Sequence, residues 1–141
     1  MKTLADHYFS SCLDYLQSTG LDSQEILTAI EFDEYTNKQT QQLAPRISLK
    51  SYNALLSYAQ QTLNDSLFGF ELGKQIRTAD FGVLGYLIES STNLASAITA
   101  LLNYDSLVAN IGRAKFEQQK TRCKVTWVAD PQCSSQAVLR N

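Results

Sequence analysis

Apolar residues recur every three or four positions through most of the first 110 residues, a spacing that predicts amphipathic helices. The first helix is predicted over residues 3–19, and Gly20 follows it at a position where helices often end. A second short helix is predicted from Asp22, because Glu25 three residues later completes the pattern of a capping box. The inward face of the first helix consists of Ala5, Phe9, Cys12, Leu13 and Leu16.

Four further helices are predicted between residues 48 and 110. Ser48 is the expected N-cap of the third, Asp65 of the fourth and Asp80 of the fifth, while Thr92 or Asn93 should cap the sixth, because short polar side chains favour these positions. The expected inward residues are Leu49, Tyr52, Leu55, Leu56, Ala59 and Leu63 in the third helix, Leu67, Phe68 and Leu72 in the fourth, and Leu94, Ala97, Ile98, Leu101, Leu102 and Val108 in the sixth.

Two stretches break the helical period. Residues 31–46 are polar and rich in glutamine, which predicts a loop that holds one helical turn. In RCKVTWVA, residues 122–129, apolar and polar side chains alternate with the period of a half-buried strand, and residues 113–119 are placed to pair with it. The predicted fold class is therefore α+β, with about six helices followed by a β-hairpin. Because an isolated hairpin is marginal in water, we expect a truncated domain.

Two glycine pairs stand out in the middle of the chain. Gly82 and Gly85 lie three residues apart in a predicted helix, and Gly69 and Gly73 lie four apart in the helix before it. Each glycine inside a helix costs about 0.8–1 kcal/mol relative to alanine. Close packing of the two helices, glycine face against glycine face, would offset this cost. The alternative is a backbone surface that a ligand approaches, and packing is favoured because no strand precedes these glycines.

Composition excludes several classes of protein. The chain has 141 residues, a net charge of −2 and a pI near 5.3, whereas a domain that binds nucleic acid directly usually has a pI above about 9. It contains no apolar run as long as the ~20 residues of a membrane span and no signal-peptide pattern. Three cysteines without CxxC spacing indicate neither a disulfide framework nor a zinc site. These features predict a soluble, cytoplasmic protein without a metal or other cofactor.

Catalytic chemistry has little support in the sequence. His7 is the only histidine, so a nucleophile–histidine arrangement would have to use it, and a surface or half-buried role is favoured. Glu31, Asp33 and Glu34 could form an acid pair, and Glu89 could enter a pocket, but solvated carboxylates are the commoner case. We expect a protein that is not an enzyme.

The residues from 67 to 104, LFGFELGKQIRTADFGVLGYLIESSTNLASAITALLNY, resemble a known pattern. This pattern occurs in the N-terminal, arabinose-binding-like effector domain of one branch of the AraC/XylS transcription regulators, which these residues resemble. RISLKSYNALL, residues 46–56, and LDSQEIL, residues 21–27, resemble the same family. The matching positions are Arg46, Tyr52, Asp65, Gly69, Leu72, Gly73, Asp80, Gly82, Leu84, Gly85, Tyr86, Ser90, Ser91 and Leu94.

The resemblance implies a regulatory role. Residues 1–141 would form an incomplete effector domain that senses a small molecule, dimerises, or does both, and that controls an attached DNA-binding domain. DNA would be contacted only through the C-terminal helix-turn-helix units, which these residues lack. The alternative is an interaction or homodimerisation module without a small-molecule ligand, for which the apolar stripe of residues 93–110 could serve as the dimer face.

If a ligand site exists, we expect it between the helix with the two glycines and the hairpin. Phe81, Tyr86 and Trp127 are the candidate ligand-binding residues there, with Tyr58 as a fourth, because small-ligand pockets are commonly lined by aromatic side chains with a few polar groups. Most aromatic residues nevertheless belong to cores. Arg77 could bind an anionic group, although a surface role is favoured for it.

Overall fold

The computed structural model describes residues 2–32 and 46–131 of the chain. Most of the loop predicted over 31–46 lies outside these residues, as do Asp33 and Glu34. In the described part, helices precede an antiparallel hairpin, which confirms the α+β prediction. The elements in order are β1 Thr3–Ala5, α1 Asp6–Ser18, α2 Ser23–Ala29, β2 Arg46–Ser48, α3 Leu49–Thr62, α4 Phe68–Gln75, a 3-10 helix Thr78–Phe81, α5 Val83–Glu89, α6 Leu94–Val108, β3 Gly112–Gln118 and β4 Cys123–Ala129.

The chain begins with a strand where the apolar pattern predicted the first turn of a helix. β1 pairs antiparallel with β2, with Leu4 opposite Ile47, and Leu4 also forms a bridge to Ala109 after α6. All residues of both strands are buried. The pairing joins segments that are distant in sequence, and it outweighs the local helical pattern because it satisfies the backbone groups of a buried segment.

Three of the predicted helix caps are confirmed. The Asp22 carboxylate accepts hydrogen bonds from the backbone N–H groups of residues 24 and 25 at 2.9 and 3.0 Å. Ser48 caps α3 by accepting from Ser51 N at 3.1 Å, and Asn93 caps α6 by accepting from the N–H of residue 96 at 2.9 Å. Asp65 accepts from the N–H of residue 67, in the turn before α4 rather than at the N-cap itself. Local side-chain chemistry therefore sets the starts of α2, α3 and α6, as the sequence indicated.

The start of α5 differs from the prediction. The Asp80 carboxylate accepts from Arg77 N at 2.7 Å, and so stabilises the 3-10 helix rather than capping α5. Gly82 is the N-cap of α5 and has φ +55°, a conformation that glycine adopts without steric cost. Because Gly82 precedes the helix, it does not share a helical face with Gly85.

The predicted crossing of two glycine faces is also wrong. A Cβ placed on Gly73 in α4 would meet nothing within 4 Å among residues 2–32 and 46–131, so α5 does not pack there. A Cβ on Gly85 in α5 would lie 1.7 Å from the carbonyl oxygen of Thr78. Gly85 is therefore required for close packing of α5 on the 3-10 helix.

Two hydrophobic clusters form the interior of the described residues. The larger one joins α1, α2, α3, α4 and the short β1–β2 sheet. The smaller one contains Ala5, Leu84 and Val108, with Phe81, Ile88 and Leu101 packed against it, and Tyr8 contacts both clusters. The predicted stripe of α6 is only partly correct, because Val108 is buried whereas Leu94 is 75% exposed. Buried members of the larger cluster include Leu4, Phe9, Cys12, Leu16, Ile26, Tyr52, Leu55, Leu56, Ala59, Phe68 and Leu72.

The predicted hairpin is present. β3 and β4 pair antiparallel from Gly112 opposite Ala129 to Gln118 opposite Cys123, and residue 119 donates to the carbonyl of residue 122 in the turn. The hairpin is attached to the helical part by α6, which contacts β3, and by an ion pair of 2.6 Å between Lys2 and Asp130. Much of β4 is exposed, contrary to the half-buried strand that its alternating pattern predicted.

Candidate functional site

A cavity of about 410 Å³ lies where the two hydrophobic clusters meet the hairpin. Its size falls within the range of about 300–1,000 Å³ found for small-molecule sites. Residues from the helical part and from both strands of the hairpin contribute to it. They are Leu4, Tyr8, Tyr52, Gly73, Ile76, Phe81, Leu84, Leu101, Asp105, Val108, Ala109, Ile111, Gly112, Ala114 and Trp127.

Aromatic rings form part of the wall. Tyr8 of α1 packs edge-to-face against Phe81 at the end of the 3-10 helix, with ring centroids 5.7 Å apart and an interplanar angle of 89°. Trp127 of β4 lies against Gly112 on the neighbouring strand, where a Cβ would come within 2.5 Å of the indole ring. The absence of a side chain at Gly112 therefore allows the indole to lie close to the strand backbone.

Tyr8 and Tyr52 each bring a hydroxyl to the lining of the cavity. Burial raises the pKa of both phenols well above the ordinary value of 10, and the Asp80 carboxylate raises the pKa of Tyr8 further. Both side chains are therefore neutral at physiological pH and can donate as well as accept a hydrogen bond.

Asp105 is an acidic residue of the cavity lining. It lies near the end of α6, and its Oδ2 accepts a hydrogen bond from Ala114 N on β3 at 3.4 Å. Ala114 is paired with Trp127 across the hairpin, so the carboxylate lies beside the strand position opposite the indole. The arrangement joins α6 to the hairpin and brings a negative charge to a largely apolar lining.

The β1–β2 sheet that lies beside the cavity is held by a buried arginine. Arg46 Nε donates to the hydroxyl of Thr3 at 2.8 Å and its Nη2 to the Thr3 carbonyl at 3.2 Å, while Nη1 donates to the Leu107 carbonyl at 2.7 Å. The Leu107 carbonyl is one of the last four of α6, which lack partners inside the helix. Arg46 thus joins β1 and β2 to the end of the helix that carries Asp105.

The structure places two of the four predicted ligand-binding residues in the cavity lining. Phe81 and Trp127 line it, whereas Tyr86 and Tyr58 are not among the lining residues. Tyr86 is 73% exposed on α5, and Tyr58 packs against the larger hydrophobic cluster. A ligand-binding role for any of the four stays a prediction.

Sequence reasoning missed Tyr8 and Asp105 and assigned Tyr52 no place in the site. Asp105 carried a usable signal, because it is the charged residue of an otherwise uncharged helix, LASAITALLNYDSLV. Tyr8 carried none, since it lies beside Phe9 outside the predicted apolar face. Arg77 lies at a smaller depression of about 160 Å³ that is also lined by Asp14 and Asp80, surroundings that do not favour an anion.

Nothing in the described part of the chain resembles a metal site, since no three of its His, Cys, Asp and Glu residues come together. His7 stacks on Tyr8 with ring centroids 5.3 Å apart. Its Nε2 is buried without a hydrogen-bond partner among residues 2–32 and 46–131. Burial lowers the pKa of His7, while Asp6 and Asp80 oppose that shift. Across the same ranges, no helix combines the length and apolar character needed to cross a bilayer.

The sequence of residues 20–139 matches the family described as the N-terminal arabinose-binding domain of AraC transcription regulators. The chain belongs to this family. The match includes α2 to β4 and all the cavity residues except Leu4 and Tyr8. It confirms the resemblance seen in the sequence, and the family is one of regulator ligand-binding domains rather than of enzymes.

A curated relative agrees with this family. The chain is 36% identical over 59 residues to the ornithine utilization regulator of Pseudomonas aeruginosa. The alignment covers 42% of this chain and 17% of that regulator. The relative therefore supports the family assignment, over a small part of its own length.

Proposed function

We propose that this chain is the ligand-sensing domain of an AraC-type transcription regulator and that the cavity is its effector site. The observation that carries the proposal is a cavity of about 410 Å³ lined by both the helical part and the hairpin, in a member of a ligand-binding family. Phe81 and Trp127 would contact the effector, and Tyr8, Tyr52 and Asp105 would supply polar groups.

The mechanism we propose is a shift between two arrangements of the helical part and the hairpin. A ligand in the cavity contacts α1 and α3 on one side and β3 and β4 on the other, so it favours the arrangement in which these surfaces are correctly spaced. A ligand shifts such an equilibrium only by its difference in affinity for the two states. α6 is the element that connects them, because it carries Asp105 in the cavity and its last turn is bonded to Arg46.

Control of DNA would be exerted through an attached DNA-binding domain. The net charge of −2 makes direct contact of this chain with phosphates unfavourable, in keeping with a division between sensing and DNA reading. A regulator of this kind acts where the DNA is, so we place it in the cytoplasm.

The test is to fill the cavity and measure the response. Ala114→Phe places a large side chain at a lining position, and Ala95→Phe makes the same change at an exposed position of α6. We expect a full-length regulator with Ala114→Phe to fold, by circular dichroism, and to lose induction of a reporter gene, while Ala95→Phe responds normally. A folded Ala114→Phe protein that still responds would refute the proposal.

Thermal-shift measurements with a panel of metabolites give a second readout that does not depend on DNA. An effector present at 100 times its dissociation constant stabilises the folded state by about 2.7 kcal/mol. That stabilisation should disappear in Ala114→Phe.

Homodimerisation is the second candidate function, either together with ligand sensing or instead of it. Tyr104 and Leu107 lie one turn apart on α6 and are 45% and 57% exposed, which favours contact with a second copy of the chain. Sedimentation of the wild type and of Leu107→Glu tests this role. A wild-type dimer that becomes monomeric in the variant supports it, and a monomeric wild type at high concentration excludes it.

A further inference from the structure

The charge of the cavity limits what it can bind. Fifteen of the residues that the structure describes line the cavity, and none of these is Lys, Arg or His. Their polar side-chain groups are the Tyr8 and Tyr52 hydroxyls, the Asp105 carboxylate and the indole N–H of Trp127. Asp105 supplies the negative charge, and the two phenols are neutral. An anionic ligand would lose part of its hydration here without meeting a cation of the described lining, which is unfavourable.

The aromatic rings of the cavity favour the opposite charge. Tyr8, Phe81 and Trp127 belong to three different elements and line the same space, and two of them are in edge-to-face contact. Faces of aromatic rings attract cations, and such rings recognise alkylammonium groups. A carboxylate nearby adds the attraction of opposite charges. Asp105 lies beside the strand position opposite Trp127, through its bond to Ala114.

The remaining lining residues are aliphatic side chains and glycines, so they match an apolar body rather than a polyol. A sugar brings several hydroxyl groups, each of which loses stability if it is buried without a partner. An amino acid such as ornithine brings a carboxylate in addition to its ammonium groups, and the lining residues within 2–32 and 46–131 offer that carboxylate no cation.

We infer that the cavity binds an organic cation with an apolar body, a protonated or quaternary amine without a carboxylate, whose charge pairs with Asp105 and whose body contacts Phe81 and Trp127. This inference rests on the proposed ligand-sensing function and names the chemical class of the effector.

The experiment compares probes of one shape and three charges by titration calorimetry on the full-length protein. Phenethylammonium is the cation, 3-phenylpropionate the anion and 2-phenylethanol the neutral compound, with L-arabinose and L-ornithine added. Asp105→Asn removes the charge and keeps an oxygen that can accept from Ala114 N. Glu117→Gln makes the same change on an exposed residue of β3, and it is the matched control.

We expect phenethylammonium to bind more tightly than the other probes. Its affinity should fall about tenfold or more in Asp105→Asn, because loss of one partner of a partly buried charge pair is costly. It should be unchanged in Glu117→Gln and lost in Ala114→Phe.

Three results would overturn the inference. They are tighter binding of 3-phenylpropionate, L-arabinose or L-ornithine, an amine affinity that is the same in Asp105→Asn, and no measurable binding of the amine. If L-arabinose or L-ornithine binds and Ala114→Phe abolishes that binding, the cationic class is wrong and the proposed ligand-sensing function stands. If amine binding survives in a folded Ala114→Phe protein, the ligand lies elsewhere and both are wrong.

Discussion

Gly85→Ala should destabilise the protein although alanine is the better helix former. The added Cβ would lie 1.7 Å from the Thr78 carbonyl oxygen and 2.7 Å from its carbonyl carbon. Both atoms belong to the backbone, so no side-chain rotation relieves the contact. The 3-10 helix would have to move away from α5 by more than an ångström, and it carries Phe81 in the cavity wall.

The two opposing effects can be compared in magnitude. Alanine gains about 0.8–1 kcal/mol over glycine in a helix interior. Overpacking in a closely packed site costs typically about 1–3 kcal/mol, and occasionally more. Because the clash is with backbone, we expect a value at or above the upper end, and a net loss of about 2 kcal/mol in the free energy of unfolding.

Gly73→Ala is the matched control for Gly85→Ala. It makes the same substitution inside a helix, at a position where the Cβ meets nothing within 4 Å. Its stability should be unchanged or higher by up to about 1 kcal/mol. Urea denaturation of both variants, with the slope checked against the wild type, measures the difference. Equal midpoints for the two variants would refute the close approach of α5 to the 3-10 helix.

Three further predictions concern single side chains. Cys12 is fully buried, and burial raises its pKa to about 12. Near pH 8 a thiol reagent should therefore modify the exposed Cys123 and reach Cys12 only after unfolding. Rapid labelling of both cysteines in the folded protein would contradict this. Burial lowers the pKa of His7 from 6.5, so the unfolded chain takes up the proton more readily and stability should decrease as the pH falls below 6.5. In His7→Gln the urea midpoint should vary less with pH, and an equal decrease would show that other groups cause it. Arg46→Lys keeps the charge, but a lysine cannot bond Thr3 and Leu107 together. We therefore expect the free energy of unfolding to fall by about 2 kcal/mol, measured by urea denaturation. An unchanged midpoint would show that Arg46 does not stabilise the fold through these bonds.

Most helices could be predicted because their signals are local. The caps at Asp22, Ser48 and Asn93 depend on a side chain and a backbone N–H two or three residues away. The period of two in residues 122–129 likewise predicted β4 and its hairpin. The strand at Thr3–Ala5 could not be predicted, because its partners Arg46–Ser48 lie more than forty residues away in sequence.

The candidate site likewise contains some residues that the sequence predicts and others that it does not. Phe81 and Trp127 were predicted from aromatic character and from the expected closeness of the glycine helix to the hairpin, and both line the cavity. Tyr8 and Asp105 could not be assigned to it, because their place depends on how α1 and α6 pack. Tyr86 has the same residue type as Tyr8, yet it is 73% exposed, so residue type alone does not distinguish a wall residue from a surface residue.

The sequence by itself determined the order of the helices, the hairpin, most of the caps and the resemblance to the AraC effector domains, since each depends on residues that are near neighbours in the chain. The tertiary structure alone decided the β1–β2 pairing, the contact of Gly85 with Thr78 and the placement of Asp105 in the same cavity lining as the aromatic rings. The strand pairing and the cavity join residues distant in sequence, and the Gly85 contact depends on how two neighbouring helices pack. Their energies come from packing and from satisfying buried polar groups, which no local pattern records.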